Sequence, residues 1–438
     1  MKHLMILLLG LCPLISFAQG TLTTLDNMYS VVKGDTWESI AAEHGITVEA
    51  LMSANVDVRT AKLKKGTLLI LPEKPQQVAA APVEAPQPAA MIRTTLTELK
   101  VAVMLPFNDP RMVEFYRGLL MAADKVRRGG TNIEFFAWNS GSTMSDIEPL
   151  LGKTSGMDLV IGPSADTQVA ALAEACRESG TRLVLPFATS VPTQNYPLVY
   201  SVEPSFSVVS QDIALLINRF YSDRNYVVIK TGKADLQGHT LTETLIQSLA
   251  KKGVQTRSLN IDADDFTYES AFNQYRDNMI VIDDSSSKSF EEILSHLKDF
   301  RAKHANYRIS LLGYPEWQHM QDHLRDFFSL DTYLVSTSYY NSLADEAKAF
   351  EGAYQRSFRK SVSTGSPSYA PLGYDLGQYF LGGIIRQADT FEQMQGDLPQ
   401  QPLQNRFRFE RNPSGMSFCN RAAQLIHFTT DEKIELIR

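Results

Sequence analysis

The stretch from Glu73 to Thr95 constrains the rest of the chain most. It runs Glu-Lys-Pro-Gln-Gln-Val-Ala-Ala-Ala-Pro-Val-Glu-Ala-Pro-Gln-Pro-Ala-Ala before reaching Thr95. Such a composition offers no apolar surface large enough for a core and favours extended backbone. It predicts a tether, so the residues before it and those after it must fold as separate units.

Ahead of the tether, Met1 to Ala18 combines Lys2 and His3 with an apolar run from Leu4 to Ala18 that only Gly10, Pro13 and Ser16 interrupt. A run this short, ending in a small residue, predicts a secretory signal peptide rather than a transmembrane span. Leu9-Gly10-Leu11-Cys12 does not make a lipoprotein signal, because Leu11 is not the small residue required before the cysteine. No later stretch reaches spanning length, so the expected product is exported, into the periplasm or cell envelope of a bacterium. Beyond the signal only Cys176 and Cys419 remain, which allows one bridge in an oxidising compartment or two separate buried thiols. The formal charge of −7 and the lack of a basic cluster argue against nucleic acid as a partner.

Residues 29–72 form a short pattern of their own. Tyr29 and Val31 alternate like a strand, and Gly34 supplies a turn. Asp35-x-x-Glu38 is a capping-box pattern for a helix carrying Trp37, Ile40, Ala41 and His44 on one face. A second helix begins at Thr47, turns Leu51 inward and stops at Asn55; Leu68 and Ile70 return as a strand closed by Pro72. This strand–helix–helix–strand unit resembles a LysM domain over its whole length. The resemblance implies a strip that holds N-acetylglucosamine units of peptidoglycan or chitin. Gly34, Asp35, Thr36 and Trp37 lie on one side of it, and Ala54, Asn55, Val56 and Asp57 on the other. With five Lys/Arg against five Asp/Glu in the segment, recognition rests on hydrogen bonds and flat contact rather than charge.

After the tether, residues 96–438 alternate apolar strands with amphipathic helices: strands at Leu99–Phe107, Asn132–Ala137, Asp158–Gly162 and Arg182–Phe187, then again near Tyr226–Lys230, Met279–Ile282 and Ile309–Leu312. Alternation repeated twice predicts an α/β chain with two doubly wound parallel sheets, one per lobe. Gly118 with Ala122-Ala123, Val160-Ile161-Gly162-Pro163 leading to Gln168, Leu185-Pro186-Phe187-Ala188-Thr189-Ser190, and Gly373-Tyr374-Asp375 opening a late helix resemble type I periplasmic binding proteins, the class of the leucine/isoleucine/valine receptors. The resemblance implies lobe one over about 98–200 and 342–400, lobe two over about 205–335, and crossings near 201–205, 336–341 and 402–411. It also implies a ligand cleft at the carboxyl ends of the strands. The residues it places there are Ser164, Asp166, Ala188, Thr189 and Ser190 in lobe one, and Gly232, Asp235, Asp283, Asp284 and Tyr314 in lobe two. Asp166 in a first helical turn opposes an anion there and argues against a free amino acid.

Eight histidines without ligand spacing, and no H-E-x-x-H, P-loop or G-x-G-x-x-G, leave no metal, cofactor or catalytic set to assign. Asp283-Asp284 beside Ser285–Ser287 reads as a paired-carboxylate site or a solvated loop, with the loop favoured; Ser164 has no locatable base. Trp317, Tyr339 and Tyr340 fit cleft walls or core. Three functions follow. The first is a wall-held binding protein that closes on a small ligand. The second is an interaction protein for an envelope enzyme, since Gly162-Pro163 and Val169–Leu172 resemble outer-membrane activators of peptidoglycan synthases. The third, less expected, is an amino-acid transporter receptor or a wall hydrolase.

Overall fold

The computed structural model describes residues 28–55, 58, 63–72, 95–188, 196–363, 365, 367–394, 398, 400–412 and 417–438. The expected signal peptide, most of the tether, and Val56, Asp57, Thr189 and Ser190 lie outside the described residues. Two compact units divide the chain at Ala90/Met91.

In the first unit, β1 (Met28–Ser30) pairs antiparallel with β2 (Leu68–Ile70), and α1 (Trp37–His44) and α2 (Val48–Ala54) lie between them in sequence. Val31, Ile40, Ala41, Leu51 and Leu69 close the core. The cap of α1 falls one residue later than the pattern Asp35-x-x-Glu38 predicts. Thr36 accepts from the Ser39 N–H at 3.2 Å while Ser39 Oγ accepts the Thr36 N–H at 2.9 Å. Asp35 is held elsewhere, accepting the Tyr29 hydroxyl at 2.9 Å and the Val32 N–H at 2.7 Å. α2 starts and stops as its sequence predicts, with Thr47 as N-cap and Asn55 as C-cap.

The second unit carries two seven-stranded sheets. Lobe one is built from β3 (Glu98–Leu105), α3 (Pro110–Arg127), β4 (Asn132–Asn139), α4 (Met144–Ile147), β5 (Leu159–Ile161), α5 (Asp166–Ser179), β6 (Arg182–Leu185) and β7 (Val199–Ser201). Lobe two follows with α6 (Phe206–Phe220), β8 (Asn225–Lys230), α7 (Leu236–Ala250), β9 (Thr256–Asn260), α8 (Asp265–Ala271), β10 (Asn278–Ile282), α9 (Ser287–Lys303), β11 (Ile309–Gly313), α10 (Leu324–Ser329) and β12 (Thr332–Ser336). The chain then returns to lobe one with α11 (Asp345–Phe358), α12 (Tyr369–Gln387), α13 (Phe391–Met394), β13 (Phe409–Arg411) and β14 (Phe418–Asn420), and ends in lobe two with β15 (Gln424–Phe428) and β16 (Ile434–Ile437). Sheet orders are β13-β14-β7-β6-β5-β3-β4 and β16-β15-β12-β11-β10-β8-β9. Every residue of β10, β11 and β12 is buried, as strands covered on both faces by helices must be.

Among the described residues, only the pairs β12–β15, β15–β16 and β13–β14 run antiparallel in these two sheets. They also correct the third crossing, which lies between Asn420 and Gln424 rather than at 402–411. β13 and β14 first add a hairpin to lobe one, where Phe418 stacks on Tyr200 at 4.7 Å. Lobe one therefore extends past residue 400.

The glycines of the sequence pattern have a packing reason. α3 and α12 approach backbone to backbone. A Cβ at Gly118 would stand 2.1 Å from the Ala370 carbonyl oxygen, and one at Gly373 would stand 2.0 Å from that of Phe115. Gly162 has φ +126°, and a Cβ there would meet the Met104 oxygen at 2.0 Å. Cys176 is buried and Cys419 half-buried, both as free thiols.

Candidate functional site

In the first unit, Gly34 and Thr36 are exposed, and Asp35, Trp37 and Ala54 are half-buried. Asn55 is different. The residue is 7% exposed, and three of the four hydrogen-bonding positions of its side chain are used within the domain. Nδ2 donates to the Leu51 and Ile70 carbonyls, both at 2.8 Å, and Oδ1 accepts the Ile70 N–H at 2.7 Å. The amide thus ties the end of α2 to β2. Of the strip read from the sequence, Gly34 and Thr36 are exposed, Trp37 and Ala54 are half-buried, Asp35 is tied to Tyr29 and Val32, and Asn55 is a structural latch.

In the second unit, the lobe-two residues expected at a cleft gather at the strand ends but face one another. Asp235 caps α7 through the Gly238 N–H at 2.6 Å and takes the Ser285 hydroxyl on its other oxygen. Asp283 accepts the Thr231 N–H and hydroxyl, both at 2.8 Å. Burial opposes the charge on Asp284, yet hydrogen bonds from Ser289 and Ser286 hold its carboxyl below the usual carboxylate range. Tyr314 is fully buried and donates to the Ile282 carbonyl; Trp317 is core and donates to Ser285 O at 2.7 Å. The two neighbouring aspartates therefore serve as loop ties. Gly232 is exposed with φ +71° in the β8–α7 loop. In lobe one, Ser164 is half-buried, Ala188 fully buried, and Asp166 exposed in the first turn of α5.

A cavity of about 670 Å³ opens elsewhere between the lobes, and none of these residues lines it. Its walls are the turn after β11 (Gln318, Gln321), the second crossing (Tyr339, Tyr340), α11, and Ser361, Val362, Ser363, Gly365 and Ser368. Tyr339 and Tyr340 are half-buried here, so of the three aromatic residues singled out in sequence only Trp317 belongs to the core. The Tyr340 hydroxyl donates to Glu351 at 2.7 Å; burial first, then that carboxylate, raises its phenol above the ordinary value. Behind this wall the Tyr339 N–H donates to Gln404 O at 3.0 Å. The segment holding Gln404 is fixed by Asp375, which accepts the backbone N–H groups of Leu403, Gln404 and Asn405 at 2.7–2.8 Å. Burial pushes the Asp375 carboxyl up to about 7 against those bonds. At the third crossing Arg421 pairs with the buried Asp212 of α6 at 2.7 Å, and Arg408 of lobe one approaches the same carboxylate at 3.4 Å. The polar segment from Ser361 to Ser368 carries no periodicity, so nothing in sequence marked it as part of a cavity.

Residues 29–72 match the LysM domain family and form a LysM domain. No curated protein matches the chain. Among solved structures, one described as a branched-chain amino acid ABC transporter from Rhodospirillum rubrum is 12% identical with a TM-score of 0.55, over 78% of this chain and 100% of that one. A branched-chain amino acid transporter from Rhodopseudomonas palustris is 14% identical with a TM-score of 0.48, over 78% and 96%. A substrate-binding protein from Desulfitobacterium hafniense is 18% identical with a TM-score of 0.47, over 77% and 99%. At such identities the likeness is one of fold. Together with the sheet orders above, it shows that the second unit has the two-lobed type I periplasmic-binding-protein fold. Both units are binding folds, and among the described residues no helix is long and apolar enough to cross a membrane.

Proposed function

We propose that this is an exported, cell-wall-associated binding protein. Its LysM domain holds N-acetylglucosamine-containing peptidoglycan, and its two-lobed unit takes a small ligand. The observation that carries the second half is the cavity of about 670 Å³ beside the second crossing, which lies within the range of about 300–1,000 Å³ found for ligand sites. A cavity walled by both lobes changes shape when they close, so ligand binding is coupled to lobe movement. The tether supports the first half, because it would keep a wall-bound protein concentrated near wall substrates and enzymes.

A second reading has its own observation. The strand-end loops of lobe two are satisfied by Asp235, Asp283 and Asp284 from within, as expected if the fold no longer captures solute there and instead docks on an envelope enzyme. Thermal melting of the chain separates the two, since a ligand that binds the native state raises its melting temperature. Soluble wall fragments should raise the melting temperature of the two-lobed unit more than leucine or glutamate does. A shift with the free amino acids alone would point to an amino-acid receptor, and no shift with any solute would favour docking.

A further inference from the structure

The lining of the cavity between the lobes says what chemistry it accepts, given the reading above that it is a ligand site. Gln321, Gln355, Ser342 and Ser361 line it; all four are exposed, and their side chains have no protein hydrogen-bond partner among the described residues, so a ligand in the cavity would meet them in exchange for water. Amide and hydroxyl groups both donate and accept, as do the hydroxyl and acetamido groups of a sugar. Formal charge in the lining is balanced, with Lys348 against Glu351; Glu351 accepts the Tyr340 hydroxyl, and Lys348 lies 3.9 Å from Asp345, outside the lining on its own helix. Tyr339 and Tyr340 add two half-buried rings, the flat partly apolar surface against which a pyranose ring packs. A free amino acid would have to take Glu351 for its ammonium and Lys348 for its carboxylate, but Glu351 already accepts the Tyr340 hydroxyl and Lys348 lies beside Asp345, so the neutral amides, hydroxyls and rings are the larger part of what the lining offers. We infer that this cavity binds an uncharged oligosaccharide bearing acetamido groups, between α11 and the second crossing rather than at the strand ends.

Gly352 provides the test. It sits on α11 in the cavity wall, and a Cβ there would touch only the end of Arg356, at 3.4 Å. Gly352→Phe therefore fills the cavity without crowding the helix backbone. Isothermal titration of the full chain with the N-acetylglucosamine tetramer should show two sites per chain, falling to one in Gly352→Phe. Gln321→Ala and Gln355→Ala, which remove cavity amides without adding bulk, should each weaken the same site several-fold. Disabling the LysM domain with Asn55→Ala should remove the other site and leave this one. A single wild-type site that survives Gly352→Phe overturns the inference. So does leucine binding that Gly352→Phe abolishes, although that result leaves the ligand-binding reading intact. If neither solute responds to Gly352→Phe, the inference and that reading both fall.

Discussion

Asn55→Ala tests whether this residue contacts glycan or holds its domain together. The substitution removes three hydrogen bonds of 2.7–2.8 Å that join Leu51 and Ile70. At about 1 kcal/mol each the loss is about 3 kcal/mol, and more where the backbone groups of Ile70 are left without water. Over residues 29–72 the whole stability expected of such a domain is about 2–7 kcal/mol, at about 0.05–0.15 kcal/mol per residue. The variant domain should therefore keep at most about 4 kcal/mol and, toward the lower end of that range, be largely unfolded. Thr36→Ala, which removes one exposed cap bond, should cost about 1 kcal/mol and leave the domain folded. Hydrogen exchange on the full chain reads this directly. Amides of α2 and β2 should lose protection in Asn55→Ala and keep most of it in Thr36→Ala, while the second unit is unchanged in both. Wild-type protection in Asn55→Ala combined with lost wall binding would refute the argument and return Asn55 to the glycan site.

Two further predictions concern the second unit. Asp375 is raised from 3.8 to about 7, so between those values the folded chain holds a proton that the unfolded chain has released. Its contribution is complete below about pH 4 and is lost as pH rises to about 7, at most about 4 kcal/mol. Urea unfolding at pH 5 and pH 8 should show about 2.5 kcal/mol of this in the native chain, since part is already lost by pH 5, and a smaller difference in Asp375→Asn; equal differences would contradict it. Gly118→Ala pushes a methyl to 2.1 Å from the Ala370 oxygen and should cost about 3 kcal/mol. Gly352→Ala, whose methyl would meet only the flexible end of Arg356 at 3.4 Å, should instead stabilise α11 by about 0.5–1 kcal/mol; equal melting temperatures for the two variants would contradict the packing account.

What was legible in the sequence follows from range of interaction. Tyr226–Lys230, Met279–Ile282 and Ile309–Leu312 read as strands because central parallel strands are buried on both faces and stay apolar throughout. β13 and β14 are three residues each, too short for any period to show, and the third crossing was misplaced for that reason. At α1, Asp35-x-x-Glu38 and Thr36-x-x-Ser39 both fit a cap; the Tyr29 hydroxyl and the Val32 N–H, which engage Asp35, decide between them. Asp283 and Asp284 look alike in sequence whether they face a ligand or tie a loop, because Thr231, which lies far away in the chain, sets the role of the first. The cavity wall drew on Gln321, Tyr339 and Gln355, which come from three separate segments and share no motif.

Sedimentation with isolated peptidoglycan tests the central claim most directly, because the chain divides into two compact units that can be compared as fragments. Residues 19–95 should pellet with the wall. Residues 96–438 should remain in the supernatant, since a cavity between two lobes admits a soluble fragment but not an intact polymer sheet. Pelleting of 96–438 while 19–95 stays in solution would contradict the account.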